Sequence, residues 1–530
     1  MPSRSLAVSL PTAVRTALLA ALLLSPIAAA QHARTVPLDD PAYVLIERLQ
    51  RRGHLLGLHP TALPYTEGEI ARALEQAPTG AGRAGEWADL LRQRVDLAEP
   101  ASDEIAVRAD IGAEFDVATS GRLDPLRPVD GDPTIPVGPV NVFPHADAHV
   151  TLGTDRLVAQ LGLRHDVYAN DDPDGLDVVK RLMIRNQEGY VGVRTPSADL
   201  VLGRVATHWG VAGQDALAVS DNPYPYDALH LRIGSPRLAV RGLLGQLDSA
   251  LPDGTFPDQD GQRPGDRPSA EPRIDRWLAA HRFDWRPVPQ LALTVLETTL
   301  YSGANAGPSL TYLMPTQGFA FLVDNTPKNV ENNGAVGAML WGHHAGWTLH
   351  GEVFFDDLDI LTGSEPASAA LTGSLTRAGI VDDLDASFTL TAVTARNYNA
   401  GQPEGIYTYA LRGLGVEYND MVRARLAADW YPTRGLAVSP DVEALWQGEQ
   451  TIDGPFPDND EIGTILTGEV RRTLRLGVEA RYQPVWWAWA RADLGVNLGD
   501  GVPGGQGAGV EGLFTVGMRL ATTGTMRADI

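Results

Sequence analysis

Beyond Pro100 the chain repeats one pattern, an apolar residue at every second position with polar or charged residues between. Ile105, Val107, Ala109, Ile111, Ala113, Phe115 and Val117 fall on one face; Arg108, Asp110, Gly112, Glu114 and Asp116 fall on the other. Leu157, Ala159, Leu161, Leu163 and Val167 alternate with Arg156, Gln160, Arg164 and Asp166, and Leu474, Leu476, Val478, Ala480 and Tyr482 with Thr473, Arg475, Glu479 and Arg481. Near the C-terminus Trp486, Ala488, Ala490, Ala492 and Leu494 alternate with Trp487, Trp489, Arg491 and Asp493. Alternation with period two predicts β-strands, and about eighteen or nineteen such segments can be counted.

Many segments are about ten residues or longer. Soluble strands average ~5–6 residues, whereas membrane-spanning strands need ~9–11. A closed barrel of about eighteen strands has a wide lumen, and an apolar lining there would face water. The apolar face must therefore point out to lipid and the charged face into the lumen. The pattern predicts an all-β fold: a transmembrane antiparallel β-barrel of about eighteen strands over residues 101–530. Connections are tight at Gly153-Thr154-Asp155 and Asn419-Asp420. They are long and polar at Ser120–Asn141, Ser249–Pro272, Thr362–Asp383 and Gln447–Gly463. Short turns on one rim and long loops on the other suit such a barrel.

The period differs before Pro100. Residues 37–98 predict three short amphipathic helices. The first is capped by Asp39 or Asp40, carries Tyr43, Ile46 and Leu49, and stops at Gly53. The second opens on a capping box of Thr66 and Glu69. The third, Gly85–Val95, places Trp87, Leu90, Leu91 and Val95 on one stripe. Earlier still, Arg4 and Arg15 precede the apolar run Ala17–Ile27 and Ala28-Ala29-Ala30. That run is about half the ~20 residues a spanning helix needs, so residues 1–30 read as a secretory signal peptide. Residues 31–100 are then a periplasmic helical head, expected to pack against the barrel rim because its apolar stripes need burial.

Composition narrows the partners. The 530 residues carry 43 Lys+Arg against 66 Asp+Glu, a net charge of −23, which disfavours nucleic acid. With no cysteine there is no thiol nucleophile, Cys-ligated metal or disulfide scaffold. Two features sit awkwardly with a barrel. Only 11 Trp, 14 Tyr and 11 Phe are present to form aromatic girdles at both interfaces. The chain also ends without a terminal aromatic residue, its last clear strand being Gly512–Leu520.

No H-E-x-x-H, G-x-S-x-G or P-loop occurs. His344 and His350 share a face with Glu352, but are spaced too far for one tetrahedral site. Asp356-Asp357 and Asp382-Asp383 are neighbours in sequence, so they point to opposite faces of a strand. No catalytic group, metal site or cofactor is expected.

Two stretches are more specific. Gly203-Arg204-Val205-Ala206-Thr207-His208-Trp209-Gly210, leading to Ser220-Asp221-Asn222-Pro223, resembles a segment of the Wzi-type capsule-assembly family of outer-membrane proteins. Glu331-Asn332-Asn333-Gly334 and His350-Gly351-Glu352 through Asp356-Asp357 are similar to two of that family's strands, and Val36-Pro37-Leu38-Asp39-Asp40-Pro41 to its head. Val211-Ala212 departs from the family's usual Gly/Pro after Trp-Gly. The resemblance implies a non-enzymatic outer-membrane barrel that binds or anchors surface (capsular) polysaccharide. Sugar binding needs aromatic faces and planar polar groups. Arg204, His208, Trp209, Asp215 and Asn222 offer that set in one segment. Gly210, Gly213, Pro223 and Pro225 forbid regular pairing there, so the segment is expected to leave the wall as an ordered constriction. The expected partners are surface polysaccharide and outer-membrane lipid, with the protein a monomer in the cell outer membrane. The alternatives are a general porin and a secreted β-rich glycan-active hydrolase.

Overall fold

The computed structural model describes residues 33–80, 82–95 and 104–527, apart from 120–122, 125, 127–139, 155, 169–184, 252–255, 257–272, 315–317, 319–330, 357–367, 382, 455, 457–463 and 501–506. The signal segment, Asp357, Asp382 and the junction at 96–103 lie outside these residues.

Eighteen strands close into one antiparallel barrel. In chain order they are β1 Glu104–Ala118, β2 Asn141–Gly153, β3 Leu157–Asp166, β4 Arg185–Arg194, β5 Ala198–Arg204, β6 Asp227–Gly234, β7 Leu238–Gln246, β8 Asp275–Val288, β9 Leu291–Gly303, β10 Glu331–His344, β11 Trp347–Asp356, β12 Ala369–Val381, β13 Leu384–Val393, β16 Met421–Thr433, β17 Leu436–Gln447, β18 Arg471–Val485, β19 Ala488–Gly499 and β20 Ala508–Arg527. A two-residue pair, β14 Thr408–Tyr409 and β15 Arg412–Gly413, forms a separate sheet in the connection between β13 and β16. β20 closes the ring on β1 in one unbroken register from Glu104↔Arg527 to Ala118↔Leu513.

Alternation points as expected. Ile111, Phe115, Leu202, Leu494 and Leu520 are exposed on the outside, while Arg108, Asp110, Asp116, Arg475 and Asn497 are buried inside. An apolar exterior of this extent is tolerable in hydrocarbon and costly in water, which removes the soluble-hydrolase reading. Short turns join β2–β3, β4–β5, β6–β7, β8–β9, β10–β11, β12–β13, β16–β17 and β18–β19 at the end where β1 begins (the turn end). The longer connections lie at the opposite, loop end. Five of the scarce aromatics gather at one end. Trp285, Trp347, Trp430, Tyr482 and Trp487 all face outward beside the tight turns, forming a belt at the turn end.

Four local expectations are corrected. The polar stretch after Leu520 is not a tail, because Ala521 to Arg527 pair with β1 and complete the closing strand. Thr362–Asp383 is not one long loop. Residues 369–381 form β12, whose inward positions Thr372, Ser374 and Thr376 are small and polar and blur the alternation. Asn419-Asp420 is not a strand-to-strand turn; both residues are buried at the base of an inward loop, where Asp420 accepts the Thr467 backbone N–H at 3.1 Å. Trp486 does not share the outward face, since the hairpin turn carries Trp487 outward and sets Trp486 against Arg94 of the head, 5.9 Å from its ring.

The head is three helices, α1 Ala42–Arg51, α2 Glu67–Leu74 and α3 Arg83–Val95. Asp40 accepts the Ala42 N–H at 2.9 Å at the start of α1, and Gly53 ends it at φ +80°. The α2 capping box forms in full: Thr66 Oγ1 accepts the Glu69 N–H at 3.1 Å and Glu69 accepts the Thr66 N–H at 2.8 Å. Ile46, Leu49, Ile70, Leu90 and Leu91 make the helices' shared core, to which Tyr431 and Ala437 of the barrel contribute. The head touches strands around the whole ring. Arg51 pairs with Asp429 at 2.9 Å, Arg52 with Asp385 at 2.7 Å, Asp40 with Arg519 at 3.0 Å, and Thr35 Oγ1 bonds the Tyr190 hydroxyl at 2.8 Å. Arg282 reaches the Thr61 carbonyl from a fourth side. The head therefore spans the lumen at the turn end.

Candidate functional site

β5 and β6 are only 7 and 8 residues long, so the wall is low where the chain leaves it after Arg204. Arg204 and Asp227 face each other at the ends of these strands and pair at 3.0 Å. Between them the chain folds into the lumen. The His208 and Leu63 backbones exchange both hydrogen bonds, at 3.0 and 3.2 Å, which ties the segment to the head. A second inward loop, residues 394–420, meets it. Ser220 N–H donates to the Leu414 carbonyl at 2.8 Å, Asn222 Nδ2 to Gly413 at 2.9 Å, and the Tyr398 and Tyr407 hydroxyls to Leu217 and Ala218 at 2.7 and 2.9 Å. Only glycine fits at position 415, where a Cβ would stand 2.2 Å from the Leu217 oxygen. From the wall, Glu352 accepts the Leu217 N–H at 2.9 Å.

The contact between the two loops is apolar. Trp209, Leu217, Val219, Tyr398, Tyr407, Leu414 and Val416 pack against Leu278, Leu300 and Phe354 of the wall. Here the lumen-facing side of the strands is hydrophobic because a folded plug, not water, covers it. The expected ordered, inward segment is thus present.

The five residues singled out from the sequence occupy different surroundings. Arg204 stays at the wall, on Asp227 and the Asn186 carbonyl. Trp209 is only 4% exposed, with the Arg282 guanidinium 5.8 Å from its ring, so it presents no face for a sugar to stack on. Asp215 accepts from Thr391 Oγ1 at 2.6 Å and borders a lumen cavity; Asn222, already bound to Gly413, also borders one. His208 is buried, with Nδ1 2.8 Å from Asp221 and Nε2 3.2 Å from the Val211 carbonyl.

Burial pushes the His208 pKa down, but the Asp221 carboxylate outweighs it and holds the group above its usual value. A raised folded pKa makes the stabilisation complete below the unfolded value of about 6.5 and erodes it as pH rises through the folded value. Asp221 is half exposed, its side chain at 51%, so solvent screens the pair and the effect is small. Thermal unfolding of the detergent-solubilised barrel is expected to weaken slightly from pH 6 to 9, and Asp221→Asn to flatten that slope. An unchanged slope in Asp221→Asn would show that another group is responsible.

Beside the plug lies a polar chamber of three adjoining cavities of about 510, 360 and 300 Å³, all touched by Leu123. The head supplies part of its lining through Asp39, Tyr43, Glu47 and Arg51. Its wall is a ladder of ion pairs: Arg423–Glu443 at 2.6 Å, Arg491–Glu479 at 2.7 Å and Arg475–Asp493 at 2.5 Å. Carboxylates so occupied are poorly placed as general acids or bases. In the smallest cavity two guanidiniums lie close to the Tyr224 ring, Arg185 at 4.8 Å and Arg412 at 5.7 Å, with Tyr168, Gln187 and Asn222 alongside. Tyr224 is not among the residues singled out from the sequence, although an aromatic ring held between Pro223 and Pro225 is a local signal of a rigidly presented side chain. Nothing local marks Arg185 or Arg412; only the fold brings them to it.

No curated protein matches the chain in sequence. The family described as capsule assembly protein Wzi matches residues 106–335. Among solved structures, the Wzi outer-membrane protein involved in group 1 capsule assembly in Escherichia coli, described as a carbohydrate-binding β-barrel, superposes with a TM-score of 0.60. It shares 13% identity over 92% of this chain and 99% of that one. OccAB2 of Acinetobacter baumannii covers 80% of this chain and 100% of its own at TM-score 0.45 and 8% identity. The outer-membrane protein opdK of Pseudomonas aeruginosa covers 78% and 99% at TM-score 0.42 and 10% identity. The resemblance seen in the sequence is borne out: the chain is an outer-membrane β-barrel of eighteen strands whose residues 106–335 match the capsule assembly protein Wzi family.

Proposed function

We propose that this protein binds surface polysaccharide as a non-enzymatic, monomeric outer-membrane barrel, and that the turn end with its head faces the periplasm. The observation that carries the reading is the closed lumen. Head and inward loops fill the space that a diffusion porin keeps open, and what remains is a polar chamber with an aromatic ring at one edge. Tyr224, with Arg185, Arg412, Asn222 and Gln187 around it, brings an aromatic side chain and planar hydrogen-bonding groups together at a cavity, the combination a sugar requires. Arg204, His208 and Trp209 act by shaping the plug, while Asp215 and Asn222 remain candidates for direct contact with glycan.

Tyr224→Ala and Asn222→Ala, made together, are expected to leave assembly and heat-modifiability unchanged and to lower the polysaccharide retained on cells several-fold. Normal retention by an assembled double variant would remove this edge of the chamber from the binding site. The parent protein is expected to pass little current in planar bilayers; steady, large single-channel steps would favour the porin reading.

A further inference from the structure

Among the described residues, one group of three side chains converges as metal ligands do: Glu114, Asp116 and His145, each offering a donor atom within 4.8 Å of the others. The arrangement follows from the sheet. Glu114 and Asp116 are two apart on β1 and share its lumen face, and His145 is the register partner of Glu114 on β2. His145 Nε2 lies 3.5 Å from Glu114 Oε1, and its Nδ1 lies 3.9 Å from Asp116 Oδ2.

The neighbours of the group orient these donors without using them up. Trp489 Nε1–H donates to Glu114 Oε2 at 3.2 Å, and Thr515 Oγ1–H donates to Asp116 Oδ1 at 2.6 Å. In each carboxylate the second oxygen is left facing the histidine. The Asp116 side chain is only 9% exposed, and among the described residues its Oδ2 accepts no hydrogen bond. Among the described residues no arginine lies within ion-pairing distance of either carboxylate, although arginines neutralise Asp110, Asp147, Glu443, Glu479 and Asp493 along the same lumen. A buried carboxylate beside a half-buried one favours a cation between them, and among the described residues His145 is the basic side chain in contact with both.

We propose that Glu114, Asp116 and His145 bind one divalent transition ion of the Zn²⁺ class in the barrel wall. One imidazole nitrogen and two carboxylate oxygens suit such an ion, whereas Ca²⁺ selects six or more oxygens. Zinc distances of ~2.0–2.2 Å set donors ~3.3 Å apart. Side-chain rotations of Glu114 and His145, both partly exposed, close the remaining gap. The 510 Å³ cavity, which Glu114, Asp116, Trp489 and Thr515 line, supplies water for the open position. The Trp489 and Thr515 hydrogen bonds hold the carboxylates, as outer partners do in established zinc sites.

The test uses the full-length, tag-free protein in detergent, stripped with a chelator, reloaded with Zn²⁺, dialysed and counted by elemental analysis. One ion per chain is expected, and Co²⁺ in its place should give visible ligand-field absorption. His145→Ala should abolish both signals while the barrel stays heat-modifiable. Thr515→Val, which keeps all three ligands, should weaken binding roughly 10-fold. His165→Ala, which removes a histidine outside the group, should change nothing. Failure to retain Zn²⁺, retention undiminished in His145→Ala, or preference for Ca²⁺ over Zn²⁺ would each overturn the assignment.

Discussion

Glu67→Ala is expected to destabilise the docked head by about 3–5 kcal/mol, the usual cost of removing one partner from a buried ionic cluster. Glu67 Oε1 accepts from Arg94 of α3 at 2.9 Å, from Arg108 of the wall at 2.9 Å and from Arg34 of the preceding strand-like segment at 3.4 Å. One oxygen thus ties together two parts of the head and the barrel. Its loss leaves three buried guanidiniums with only Asp40 and Asp110 to offset them. Burial raises the Glu67 pKa, but the three arginines outweigh it and hold the net value below the usual range. A depressed folded pKa gives stabilisation that is complete above the unfolded value of about 4.3 and is lost as pH falls. The parent head should therefore loosen in acid, and Glu67→Ala should show that looseness at neutral pH. Limited proteolysis of the solubilised protein reads this directly. Rapid cutting between α1 and α3 with an intact, heat-modifiable barrel is the expected result; resistance equal to the parent would show that the apolar core alone docks the head.

The second large effect is at Trp209. Its ring is buried in the apolar cluster that both inward loops share, so Trp209→Ala should cost about 3–5 kcal/mol through lost burial and the cavity left behind. Amide hydrogen exchange is expected to accelerate sharply across residues 205–226 and 394–420, where the backbone bonds Trp209 N–H to Val219 and Ser220 N–H to Leu414 report plug closure. Trp209→Phe keeps a ring and should exchange closer to the parent. If Trp209→Ala leaves both loops as protected as before, the plug is held by its hydrogen bonds rather than its core. A fall in polysaccharide retention by Trp209→Ala would report plug collapse, which is why Tyr224 and Asn222 are the cleaner probes of sugar contact.

These two sites also mark the boundary between what the chain announces and what it conceals. Lipid tolerates no unpaired backbone and no charge, so every spanning strand must carry an apolar outer face, and residues such as Ile111, Leu161 and Leu476 display it at period two. That constraint is local, and the sequence alone yields barrel, strand count and orientation of faces. The α2 capping box is local too, since Thr66 and Glu69 are three residues apart. The inner face obeys no such rule. Leu278, Leu300 and Phe354 point inward because two loops from distant parts of the sequence fold over them, and this broke the alternation that elsewhere revealed strands. Small inward residues hid β12 in the same way, and pairing with β1 turned the polar residues after Leu520 into the closing strand. Trp209 looked like a sugar platform because its segment is polar and glycine-rich; it is buried in a cluster that also holds Tyr407 and Leu414, about two hundred residues away in sequence. Arg185 and Arg412 gather round Tyr224 for the same reason. What meets inside the lumen depends on loop-to-loop packing, which only the closed barrel decides.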